Sequence, residues 1–169
     1  MSKRELKAYA SALPKEELEI QLLDLYDRFP VVKEYFNFVF NPKEDKLIQE
    51  AKIKISNEYY PLKRKKARMR RSIAQNYIKH FIKLGVELHL VADLMLYNIE
   101  IAQSFSEEKK VADSFYKSMF NSFNQVVVYI SQHGLLQDFK DRILKIYKDV
   151  ELQEWPNIED FSRALDQIE

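Results

Sequence analysis

The chain has 169 residues, 46% apolar and 31% charged, with two glycines, five prolines and no cysteine. The lack of cysteine excludes disulfides, thiolate metal sites and cysteine nucleophiles, and two glycines are too few for a P-loop, a dinucleotide fingerprint or a kinase-type loop. The formal net charge is only +1, and a glycine-poor, aromatic-rich composition fits an all-α domain better than a sheet full of tight turns.

Helical periodicity runs through nearly the whole chain, and prolines and glycines fall at its interruptions. The stretch Met1 to Lys7 is charged and lacks the apolar core of a secretion signal. A first helix is predicted over Lys3–Ala12. A second follows Pro14 and is expected to bury Leu18, Leu22, Leu25 and Phe29, which share one helical face. Pro30 opens a third, rich in aromatics at Tyr35, Phe36, Phe38 and Phe40. Asn41-Pro42-Lys43-Glu44 has the pattern of an N-cap, a first-turn proline and a capping-box glutamate. The fourth helix that it starts should end near Tyr60, before Pro61.

A fifth helix is predicted over Lys66–Leu84, with Met69, Ile73, Tyr77, Phe81 and Leu84 inward and Gly85 as its stop. The sixth, Leu88–Ser104, is apolar around most of its circumference and should be central. The seventh, Asp113–Gln132, turns Phe115, Met119, Phe120, Phe123, Val127 and Ile130 inward and stops at Gly134. An eighth buries Leu136, Phe139, Ile143, Ile146 and Tyr147. After Trp155-Pro156, Asn157 is expected to cap a short last helix carrying Ile158, Phe161, Leu165 and Ile168.

The pattern contains no strand, repeat or low-complexity tract. It implies an all-α antiparallel bundle of about nine helices, with helices four to seven long and central; a short α-solenoid is the alternative. Residues 1–150 are expected to form one domain, with 151–169 a tail whose helix packs on it. The uncharged run Ser118–Gln137 is long enough to span a bilayer, but its asparagines, glutamines and serines make it too polar. A soluble, cytoplasmic protein without membrane contact is therefore expected.

Five segments carry a family likeness: Phe40-Asn41-Pro42-Lys43-Glu44-Asp45, Tyr59-Tyr60-Pro61-Leu62, Tyr77-Ile78-Lys79-His80-Phe81, Asp93-Leu94-Met95 and Ser114-Phe115-Tyr116. Together they make the chain, up to about residue 148, resemble a family of small bacterial proteins classed as a domain of unknown function. The resemblance implies a cytoplasmic helical protein and brings no activity, cofactor or site residue.

Two features stand out for function. The first is the run Lys63-Arg64-Lys65-Lys66-Ala67-Arg68-Met69-Arg70-Arg71, with seven cations in nine residues. The chain holds 27 basic and 26 acidic residues; with those seven set aside, 20 basic face 26 acidic, a remainder of −6. If the helix is already formed at Arg64, then Arg64, Arg68, Arg71, Gln75 and Lys79 line one stripe. Cations in a first helical turn oppose the macrodipole at about 0.3–1 kcal/mol each, so anions are expected nearby. Those anions are the protein's own carboxylates, the favoured reading, or the phosphates of a nucleic acid, with Tyr59, Tyr60 and Tyr77 available to stack on bases.

The second feature is a polar stripe on the sixth helix. His89, Asp93, Tyr97 and Glu100 fall within about 80° of one another on the helical wheel. Folding helices five and six about Gly85-Val86 brings Asp93 level with His80 and Glu100 level with Arg71. The favoured expectation is an interhelical ladder in which these groups pair to offset desolvation. The sharper alternative is an acid–imidazole site, holding a metal through His80, His89 and Asp93. Neither Glu-x-x-His nor His-Glu-x-x-His occurs, and no serine sits in a Gly-x-Ser-x-Gly context. No cofactor is implied. The leading expectation is a non-enzymatic helical interaction protein that engages an acidic protein partner through Lys63–Arg71. Nucleic-acid binding through the same segment comes second, and an enzyme at the His/Asp/Glu stripe third.

Overall fold

Local sequence signals set most of the helix ends in the computed structural model, which describes residues 1–166. Among these the protein is all-α, with nine helices and no strand: α1 (Lys3–Ala12), α2 (Lys15–Arg28), α3 (Pro30–Phe40), α4 (Glu44–Tyr59), α5 (Arg71–Leu84), α6 (Leu88–Glu108), α7 (Asp113–Gln132), α8 (Leu136–Leu152) and α9 (Ile158–Leu165). Ile168, expected on the last helix, lies outside the described residues. No helix among them is long and apolar enough to cross a membrane. The chain divides into two compact units, Met1–Lys43 and the chain from Glu44 onward.

In the first unit Ser2 and Glu5 form a capping box at the start of α1. Phe29 closes α2 and opens α3, with Pro30 in the first turn of α3. The α2–α3 hairpin is held by Tyr26 against Phe36, ring centroids 6.5 Å apart, and by the Tyr26 hydroxyl donating to Asn37 Oδ1 at 3.2 Å. The expected burial of Leu18, Leu22, Leu25 and Phe29 does not occur: they remain between 42% and 52% exposed. Periodicity marks an apolar face but not a partner for it, and three helices in so short a unit enclose little volume. The fourth helix also starts later than predicted. Asn41 closes α3, its N–H donating to the Asn37 carbonyl at 3.1 Å, and Pro42 precedes α4. The Glu44 carboxylate accepts the N–H of Glu87 at 3.0 Å, across the unit.

The second unit is a bundle around α6, which packs against α4, α5, α7 and α8. Val91, Leu94, Leu96 and Ile99 of α6 are fully buried, as its nearly all-round apolar sequence requires. Helices distant in sequence converge on α6, which excludes the solenoid, where each repeat meets only its neighbours. The long helices are α4, α6, α7 and α8, because α5 is shorter than predicted. Gly85 adopts φ +86° and closes α5, while Gly134 adopts φ +69° just beyond α7. Both positions disfavour a side chain. On α5 the buried residues are Ala74, Ile78, Phe81 and Leu84, so the inward face is rotated from the predicted one through Ile73 and Tyr77. On α7 Met119, Phe123, Val127 and Ile130 are buried and Phe120 is partly exposed.

The tail closes onto this bundle, with α9 packed on α7 and α8. Trp155 is 2% exposed, its ring 5.8 Å from Phe115, 5.2 Å from Tyr116 and 5.7 Å from Phe161. Asn157 stands at the N-cap of α9, but its side-chain amide donates to the Tyr116 carbonyl at 3.2 Å instead of capping the helix.

Candidate functional site

The basic run is loop rather than helix, because α5 opens only at Arg71. Glu58, in the last turn of α4, explains why. Its backbone carbonyl accepts the N–H groups of Arg68 at 2.9 Å and Met69 at 3.1 Å, and Met69 takes a left-handed φ of 51°. These bonds draw the run back over α4 and spare it the cost of stacking cations at a helix N-terminus. The predicted stripe through Arg64, Arg68 and Arg71 therefore does not form.

The Glu58 side chain is 7% exposed and collects two of the seven cations. Arg70 binds it in bidentate fashion, Nε to Oε2 at 2.9 Å and Nη2 to Oε1 at 2.9 Å. Arg64 Nη2 reaches Oε1 at 3.3 Å and the Asn57 carbonyl at 2.6 Å. The Arg70 hydrogen bonds hold the Glu58 carboxyl below its ordinary value against the opposing pull of burial. Arg71 points elsewhere, with Nε donating to Ser122 Oγ at 2.8 Å and Nη2 to Gln125 Oε1 at 3.0 Å, both on α7. Its guanidinium is partly desolvated without a carboxylate, and its pKa falls for that reason. Lys63, Lys65, Lys66 and Arg68 are exposed, and their side chains make no hydrogen bond or ion pair among the described residues. The run is thus split into three cations directed at the protein and four directed at solvent.

A cavity of about 600 Å³ adjoins the loop. Tyr59, Tyr60 and Phe105 contribute to its lining, with ring centroids 5.8 Å apart for Tyr59–Phe105 and 5.7 Å for Tyr60–Phe105. Arg64, Lys65 and Lys66 from the loop and Lys109 and Lys110 from the end of α6 also line it, together with Glu108. Lys109 is the C-cap of α6, where a cation is favoured by the helix dipole. The Tyr59 hydroxyl and Arg64 Nη1 are buried without a hydrogen-bond partner. Burial pushes the Tyr59 hydroxyl up to about 12, so it remains a donor.

The polar stripe on α6 is engaged, but by other helices than α5. Asp93 accepts from Lys52 of α4 at 2.6 Å and from Arg142 of α8 at 2.7 Å. Glu100 takes Arg142 in bidentate fashion, Nε at 2.8 Å and Nη2 at 2.9 Å. Tyr97 lies under the Lys52 ammonium, 5.2 Å from ring centroid to Nζ. Burial pushes the Asp93 carboxyl up, yet the hydrogen bonds and charges of Lys52 and Arg142 outweigh it and hold the group below its ordinary value. The expected pairs Asp93–His80 and Glu100–Arg71 are thus replaced by a ladder through Lys52 and Arg142. His80 is half-buried on α5, its ring 5.8 Å from Phe81. His89 stands at the surface between Glu87, 2.9 Å from Nδ1, and Asp138, 2.8 Å from Nε2. Its pKa is raised first by the hydrogen bond to Asp138 and then by that to Glu87. Among the described residues, no group of three or more His, Cys, Asp or Glu side chains is arranged to hold a metal ion.

Sequence reasoning missed Glu58, Lys52, Arg142 and the Lys109–Lys110 pair. Glu58 and Arg142 did leave a signal. Glu58 is an acid a few residues ahead of a concentrated basic run, and Arg142 is a charge beside the inward stripe Phe139, Ile143 and Ile146. Lys109 and Lys110 come near the loop only through the packing of α6 on α4, which local sequence does not encode.

The chain belongs to the family of unknown function DUF6155, whose model matches residues 1–169. The match extends through the Trp155 tail, past the limit near residue 148 that the motif resemblance reached. No curated protein and no solved structure matches the chain.

Proposed function

We propose that this member of DUF6155 is a non-enzymatic interaction protein that docks an acidic protein partner on the loop between α4 and α5. The observation that carries this is the division of the basic run. Glu58 fastens Arg64 and Arg70, while the side chains of Lys63, Lys65, Lys66 and Arg68 stand exposed without partners among the described residues. Charges on a fastened loop lose less conformational freedom on binding than charges on a free tail, and exposed cations steer an acidic partner during encounter. The saturated carboxylates Asp93 and Glu100 support a structural rather than catalytic role for the α6 stripe.

Nucleic acid is the competing ligand for the same cations. Leu62, 89% exposed among the lysines, suits a polypeptide better than a sugar–phosphate backbone. Fluorescence anisotropy with an aspartate- and glutamate-rich peptide, beside single-stranded RNA and duplex DNA of equal charge, separates the two. Binding of the peptide should weaken at least tenfold between about 50 and about 200 mM salt, as screened surface charges do. Tighter binding of either nucleic acid than of the peptide would overturn the proposal.

A further inference from the structure

We propose that the cavity beside the loop is an anchor pocket, taking one large apolar side chain of an acidic segment whose flanking carboxylates meet the surrounding cations. The proposal rests on the acidic-partner reading and names what the partner must carry. Two observations support it.

The lining is mixed in a way that suits a peptide. Tyr60, Met69, Ala67 and Leu62 give it apolar surface, and Leu62 holds that surface out into water. An exposed leucine beside lysines gains nothing from a purely ionic partner, whereas an inserted apolar side chain removes it from water. Second, cations converge on the cavity from two distant segments, Arg64 to Lys66 and Lys109 to Lys110. Carboxylates on both sides of an anchor residue can therefore be met at once.

A stacked nucleobase fits less well. Tyr59 and Phe105 are 3% and 8% exposed, which leaves Tyr60 as the part-exposed ring of the three and no second ring face to sandwich a base.

The test uses the full chain and two labelled peptides rich in aspartate and glutamate, identical except for a central Phe in one and Ser in the other. The Phe peptide should bind about tenfold tighter, equivalent to about 1.4 kcal/mol. Two variants check that the gain comes from this cavity: Ala67→Trp, which fills it, and Leu62→Ser, which strips its exposed lining. In each, the Phe-to-Ser ratio should fall towards one while the Ser peptide binds as before. Equal, salt-sensitive binding of both peptides to the unaltered protein would overturn the anchor pocket and leave the acidic-partner reading standing. Binding of neither peptide, or tighter binding of an RNA strand of equal charge, would overturn both.

Discussion

Replacing Glu58 by glutamine keeps the shape of the side chain and removes the charge on which the loop is fastened. The carboxylate accepts both nitrogens of the Arg70 fork and one of Arg64. A hydrogen bond to a charged group contributes about 1.5–3 kcal/mol, and breaking a fully buried pair costs about 3–5 kcal/mol. Water attenuates both figures here, because the Arg70 and Arg64 side chains are 47% and 31% exposed. Glutamine also retains one acceptor, so the net loss should be about 2 kcal/mol. For a protein of this size that lowers the melting midpoint by about 4–8 °C. Tryptic cleavage at Lys63, Lys65 and Lys66 should accelerate as well, because the loop opens more often. The effect should depend on pH in one direction. The folded-state Glu58 carboxyl lies below its ordinary value of 4.5, so its stabilisation is complete above that value. It is lost as the pH falls through the lower folded value. Below that, the wild-type protein and Glu58→Gln should converge. An unchanged midpoint with unchanged tryptic rates, or a difference that persists in acid, would refute the role given to Glu58.

Arg142→Met should destabilise by about 2 kcal/mol in urea unfolding, since Glu100 loses its bidentate partner and Asp93 keeps only Lys52. Lys52→Met, which leaves Arg142 on both carboxylates, should cost less. Trp155→Ala should cost about 3–5 kcal/mol by emptying an aromatic site between α7 and α9. Unfolding with a cost below about 1 kcal/mol would show the tail to be loosely attached. Gly85→Ala should cost about 1 kcal/mol from its φ of +86° alone, because an added Cβ meets nothing within 4 Å. The folded-state pKa of His89 is raised, so its contribution is present below its ordinary 6.5 and is lost as the pH rises through the folded value. Asp138→Asn should lower the imidazole pKa in an NMR titration, and an unmoved titration would show that the 2.8 Å contact is not maintained in solution.

Much of the fold follows from short-range signals. Gly85 and Gly134 stop long helices at positive φ, and the all-round apolar character of α6 places it at the centre of its unit. Where sequence reasoning went wrong, a distant group decided the outcome. Spacing alone allowed a helix from Lys66, but the Glu58 carbonyl, ten residues before Arg68, holds the amides of Arg68 and Met69, and the left-handed φ of Met69 interrupts such a helix. Asp93 and Glu100 were rightly seen to need cations, yet the hairpin register considered only α5, and Arg142 arrives from α8. Leu18, Leu22 and Leu25 form a sound amphipathic face, but periodicity carries no information on whether anything covers it. The basic run was legible as a charge concentration. Its division into fastened and projecting cations was not, because that depends on which side chains reach one buried carboxylate.

That division is tested most directly by replacing Lys63, Lys65, Lys66 and Arg68 together with alanine and measuring acidic-peptide affinity beside the melting midpoint. The four side chains make no hydrogen bond or ion pair among the described residues, so the midpoint should remain within about 2 °C of wild type. Affinity at about 50 mM salt should fall more than tenfold, with most of its salt dependence lost. Peptide binding that survives the fourfold replacement would contradict the assignment of these cations as the docking surface. A large fall in the midpoint would contradict their assignment as groups free of the fold.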